Sequence, residues 1–175
     1  MKLLSKLSNL FCKIFECERD NDAPKNFPKD FYRGLSFKDC LSGKYLTEAA
    51  FKFDPFGHNP DRDDNYRELS INWNDSQDAL NVLLNQHKPF KEEKQFSVGY
   101  ALLSVDEVRN ALRTQIANGG FNYERRPVKE DKDNDIAENP YHGNLLIDNN
   151  LDKNAIKIIQ CTLANIATAG LTLRS

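Results

Sequence analysis

The sequence predicts an α+β fold: a mainly antiparallel or mixed sheet with packed helices and an N-terminal amphipathic helix. Three observations carry that expectation. Segments of period two (ELSINW at 68–73, QFSVGYALL at 95–103) mix with segments of period 3.6 (79–84, 108–116). They do not alternate in a strict strand–helix–strand rhythm, and no glycine-rich phosphate loop follows any strand, so a doubly wound parallel sheet is disfavoured. The 175 residues, 39% of them hydrophobic with eleven Phe, suffice for one core and exclude wholesale disorder.

Residues 1–17 predict a helix with Leu3, Leu4, Leu7, Leu10, Phe11, Ile14 and Phe15 on one face and Lys2, Lys6 and Lys13 on the other. The lysines interrupt the apolar run, so it does not read as a signal peptide. Such a helix packs on the domain or on a second copy of the chain. The competing reading is a membrane surface bound through residues 1–16. Residues 18–30 hold two prolines and many charges and read as a linker to a single domain, 31–175.

Within the domain, FYRGLS (31–36) reads as a strand and LTEAAFKF (46–53) as a short strand or a helix passing into one. Residues 54–67 hold Pro, Gly, Asn and several charges and read as a surface loop. ELSINW alternates as a half-buried strand. Asp75 is placed to cap a helix over 76–86, and 95–103 is the clearest strand. Ser104 and Glu107 stand at capping-box spacing before a helix through Ile116, with Gly119 and Gly120 to end it. Strands are expected at 121–128 and 142–148, separated by an acidic loop. Asp152 or Asn154 caps the last helix, whose apolar residues nearly encircle it and so predict burial, and Gly170 closes it.

Composition narrows the function. A net charge of −2, with basic residues interleaved among acids, gives no stripe for nucleic acid. No apolar run of 18 residues spans a bilayer. Cys12, Cys17, Cys40 and Cys161 form no C-x-x-C pair, which argues against structural zinc and for a reducing, cytoplasmic setting. Asp61-x-Asp63-x-Asn65 and Asp131-x-Asp133-x-Asp135 begin like calcium loops, but neither has the Gly and Glu that positions 6 and 12 require. No metal site and no cofactor are expected.

Four residues are candidates for a site. His142, in ENPYHGN (138–144), sits where a Pro-fixed turn enters a strand; a His held there can act as general acid or base. Gly143 is read as permitting an unusual dihedral beside it. Arg33, Ser70 and Asn139 are the expected ligand-binding partners. Arg33 on a strand before Gly is similar to the opening Arg of the ADP-ribosyltransferases, and Ser70 can stand for their serine strand. Their closing Glu-x-Glu is matched only by Glu16-Cys17-Glu18, which precedes Arg33, so the order weighs against that family.

Taken in order, FYRG (31–34), TEAAF (47–51), ELSINW (68–73), the AL of YALL (100–103) and ENPYHGN (138–144) resemble a group of small uncharacterised bacterial proteins with aromatic-Arg, AAF, LS-hydrophobic and Asn-Pro-x-His segments. The resemblance spans roughly 31–148 and implies a bacterial, cytoplasmic protein; it brings no activity. With no complete catalytic motif, abundant acidic loops and an appended amphipathic helix suited to a partner groove, the expected function is a macromolecular interaction module with a protein partner, or a homo-oligomer. The alternative is an enzyme or sensor acting on a nucleotide-like ligand, with Arg33 on the phosphate and His142 moving a proton.

Overall fold

The computed structural model describes residues 28–37, 40–54, 66–116 and 120–174. The expected helix over 1–17, most of the 18–30 linker and most of the 54–67 loop, with His58 and Asp61, lie outside the described residues. The chain runs β1 (Asp30–Leu35), β2 (Leu41–Ser42), β3 (Tyr45–Leu46), a 3-10 turn (Glu48–Phe51), β4 (Tyr66–Trp73) and α1 (Ala79–Asn85). It continues through β5 (Gly99–Ser104), α2 (Val105–Gln115), β6 (Phe121–Arg125), β7 (His142–Asp148), α3 (Lys153–Thr168) and β8 (Leu171–Leu173). Six strands form one sheet in the order β6-β7-β4-β1-β5-β8, with every neighbouring pair antiparallel; β2 and β3 form a separate hairpin. The fold class is α+β.

Strand alternation sorts the side chains onto two faces. Phe31, Leu35, Leu69, Ile71, Trp73, Ala101, Leu103, Leu145 and Ile147 turn to one face and meet α2, α3 and the 3-10 turn in the main core. Trp73 packs edge to face with both Phe31 and Tyr123 there, and Phe31 lies tilted on Tyr123, with centroids 5.7–6.1 Å apart. The other face carries Tyr32, Glu68, Ser70, Asn72, His142 and Asn144. It is partly covered by α1, whose Ala79 and Leu83 are buried outside the main core.

Several local expectations change. Asp75 does not cap: α1 starts at Ala79 behind Asp78, which makes no side-chain cap bond, and Asp75 instead accepts both arms of Arg125, one of them at 2.8 Å. Ser104 does cap α2 by accepting from Glu107 N, and Asp152 caps α3 by accepting from Ala155 N at 2.8 Å. Helix α2 ends at Gln115, ahead of the glycines. Strand β6 stops at Arg125; Pro127, two residues on, has no N–H for the ladder. The face of α3 holding Ile158 is open to solvent, while Ile159, Leu163 and Ala167 go inward. Strand β8, which no pattern announced, pairs with Gly99–Ala101. Gly143 does not adopt a left-handed dihedral. Its role is space, because a Cβ there would collide with the Trp73 indole and the Glu124 carbonyl.

Strands β1 and β4 pair only at Phe31↔Trp73 and Tyr32↔Asn72. Beyond that point they part, and Asp54 takes over the β4 edge through two backbone bonds with Glu68, at 2.8 and 3.2 Å. This parting shapes the candidate site.

Candidate functional site under an arch of two loops

The polar face of the sheet floors a cavity of about 270 Å³. Tyr32 and Gly34 of β1, Ser70 and Asn72 of β4 and His142 of β7 contribute to the floor. One wall comes from α1 and the loop after it (Leu83, Gln86, His87, Pro89, Gln95, Phe96). The other wall is the 126–141 arm, supplying Val128, Asp135, Ile136 and Ala137. Gly34 is needed for close approach: the Phe96 ring lies where a Cβ would stand. The arm is held as an irregular hairpin by bridges Val128↔Asn139 and Asp131↔Ile136.

The two walls meet at their tips. The Asp135 carboxylate accepts from Phe90 N at 2.6 Å. Phe90 (φ 57°) and Asp135 (φ 52°) are the only non-glycine residues in the left-handed region among those described. Asp tolerates that region; Phe rarely does, and holding it there costs about 1–2 kcal/mol. The contact closes an arch over the cavity and leaves Phe90 72% exposed at its crown.

The two described histidines differ in what they leave free. His87 Nε2 lies 3.0 Å from Lys94 Nζ, which can only donate, so Nε2 accepts and Nδ1 donates to Glu92 O at 2.9 Å. Both of its nitrogens are engaged. His142 Nδ1 lies 2.7 Å from Arg126 O, an acceptor, which assigns the proton to Nδ1 and a lone pair to Nε2. Among the described residues Nε2 has no partner. Burial pulls the His142 ring below its ordinary 6.5, against the opposing pull of the Arg126 carbonyl. The neutral ring thus presents a fixed acceptor at the cavity.

Arg33 also borders the cavity, but its guanidinium is already engaged. It lies opposite Ala101 on the core face, and donates from Nε to Ala50 O at 2.9 Å and from Nη1 to Ser70 O at 2.7 Å. No carboxylate pairs with it among the described residues. Burial lowers it to about 10, so it stays charged at neutral pH. It fills the gap where β1 and β4 part.

Asn139 stands behind the wall. It is buried, and its Nδ2 donates to Asn72 Oδ1 at 3.0 Å while its Oδ1 accepts from Tyr141 N at 3.1 Å. With the turn closed by His142 N→Asn139 O, this pair ties the arm to β4 and sets where β7 begins. Ser70 keeps a solvent-facing hydroxyl that makes no hydrogen bond among the described residues. Asp131, Asp133 and Asp135 form no metal cage: Asp131 caps its own turn by accepting from Asp133 N and Asn134 N, and no group of three metal-ligating side chains occurs among the described residues.

Several of the short segments quoted above touch one another. Arg33 of FYRG bonds Ala50 of TEAAF and Ser70 of ELSINW, and Asn72 of the same strand pairs with Asn139 of ENPYHGN. Sequence reasoning missed Asn72, Leu83, His87, Phe96 and Ile136. Only the Ser-Ile-Asn alternation, which puts Asn72 beside Ser70, could have signalled the first. Compared with protein-family models, with curated proteins and with solved structures, the chain matches none of them.

Proposed function

We propose that the protein binds a small organic molecule in the cavity under the arch, with His142 Nε2 as the acceptor that orients it. Where the bound molecule carries a transferable proton, the same nitrogen serves as its base. One observation carries this reading: of the two described histidines, the one with an open ring nitrogen is the one on the cavity floor. Arg33 acts from behind, by holding the Ser70 carbonyl and so the curvature of the floor, and Asn139 acts by seating the arm. Neither grips phosphate in this reading. The cavity lies just below the size range of drug-sized ligand sites and suits a single ring system.

A fragment screen by NMR on the ¹⁵N-labelled chain tests it. Hits should shift the amides of Ser70, Asn72, Ile136 and His142 together and lose affinity in His142→Asn, which keeps a donor for Arg126 O but has no Nε2. If no fragment moves those amides, or if His142→Asn binds its hits unchanged, the reading is wrong. A protein partner is the second reading, favoured by the 72% exposure of Phe90 on the crown of the arch.

A further inference from the structure

We propose that the cavity selects an organic cation: a small apolar or aromatic body bearing an amidinium, guanidinium or ammonium group. This rests on the ligand-binding reading above and adds the charge of the ligand.

Beside the Ser70, Gln86 and Gln95 groups, which can donate or accept, the cavity carries two groups that can only accept. His142 offers a lone pair, and Asp135 at the mouth gives one oxygen to Phe90 N and keeps the other. Tyr32 on the floor and Phe96 on one wall bring aromatic rings to the cavity, against which a cation is favoured over an anion. Arg33, the one permanent cation along the inner cavity among the described residues, faces the core and two carbonyl oxygens.

Beside the cavity, sharing His87, Asp135, Ile136 and Ala137 with it, lies a second, more open groove of about 680 Å³. Four carboxylates (Glu92, Glu130, Asp131 and Asp135) border it against two lysines, Lys91 and Lys132. Hydrogen bonds from Asn134 hold the Asp131 carboxyl below its ordinary range, so its charge persists. An anion entering would cross this rim and then shed water beside the Asp135 carboxylate, with only the neutral Ser70 hydroxyl and the Gln86 and Gln95 amides to donate in its place. A cation would be drawn in by the rim and would meet acceptors inside.

The test is an NMR titration of the full chain with three isosteric probes: benzamidine, benzamide and benzoate. Benzamidine should shift the amides of Ser70, Asn72, Ile136 and His142 saturably, about tenfold more tightly than benzamide, as one charge-assisted hydrogen bond provides. Benzoate should leave them in place. Asp135→Asn, whose amide oxygen can still accept from Phe90 N, should weaken benzamidine about tenfold and leave benzamide unchanged. Glu130→Gln, on the exposed rim, should weaken benzamidine slightly at low salt and not at high salt, which keeps the test open if the Asp135 variant misfolds. Benzoate or benzamide binding as tightly as benzamidine at these residues would overturn the charge assignment and leave the ligand-binding reading standing. Silence of all three probes would also overturn it, and the fragment screen would then decide the cavity reading by itself.

Discussion

Arg33 does with a side chain what a neighbouring strand does elsewhere in the sheet. Where β1 leaves β4, its Nη1 takes the Ser70 carbonyl and its Nε takes that of Ala50. Arg33→Met keeps the alkyl bulk and removes both donors. The expected loss is about 1–3 kcal/mol in urea unfolding, since the orphaned carbonyls are only partly hydrated. A loss below about 0.5 kcal/mol, the range of an ordinary surface change, would deny the residue that structural part. His142 titrates the fold in a different way. Burial holds its folded-state pKa below the ordinary 6.5, so above that value both folded and unfolded rings are neutral and the full stability is present. As pH falls below about 6.5 the unfolded ring takes a proton first, and stability drops until the folded ring follows. His142→Asn should flatten this part of the denaturation profile. The hydrogen-bonded carboxyls of Glu93 and Asp131, both held low, lose their contribution only at more acidic pH, so the two windows separate.

Among the elements, the helix starts give the cleanest contrast. Ser104 accepts from Glu107 N and makes a true cap, so Ser104→Ala should cost about 1 kcal/mol by thermal or urea unfolding. Asp75 fits the same rule on paper but is bound to Arg125, fifty positions away. Asp75→Ala should therefore act like the loss of a surface ion pair, at about 0–1 kcal/mol, and the cost of Arg125→Ala should be smaller in the Asp75→Ala background than in the parent chain, because the pair is then already broken. A full cap penalty for Asp75→Ala, undiminished in the Arg125→Ala background, would contradict that assignment. The same contrast says what a sequence can carry. β4 and β7 were legible because buried alternation or an unbroken apolar run is a local property. β8 was not, because three residues after Gly170 hold too few positions to show a period. The cavity walls were not either: Leu83, His87, Phe96, Val128 and Ile136 come from separate stretches, and only the tertiary fold brings them together. That Ser70 and His142 lie on strands was legible, because alternation marks a strand and sets which face each side chain takes.

At the scale of the whole molecule, the sheet has a dry face and a wet one, and the arch decides how open the wet one is. Its closing contact holds Phe90 left-handed and exposed, an arrangement that stability alone does not favour. Phe90→Gly relieves the dihedral while adding chain entropy to the unfolded state, so its effect should lie between neutral and about 1 kcal/mol stabilising. A clear destabilisation would mean that the Phe90 ring contributes packing that its exposure does not suggest.

Trp73 is the chain's one tryptophan, fully buried, directly after Asn72 of the cavity floor and with the Arg125 guanidinium 5.8 Å from its ring centre. It gives the protein an optical channel of its own. A sealed indole emits toward the blue and shifts to the red when water reaches it, so global unfolding can be followed without any label. A molecule seated on Asn72, or one that draws Arg125 away from Asp75, alters the electric field across that ring and the quenching it experiences. Occupancy of the wet face can therefore be read as a change in emission from the dry one.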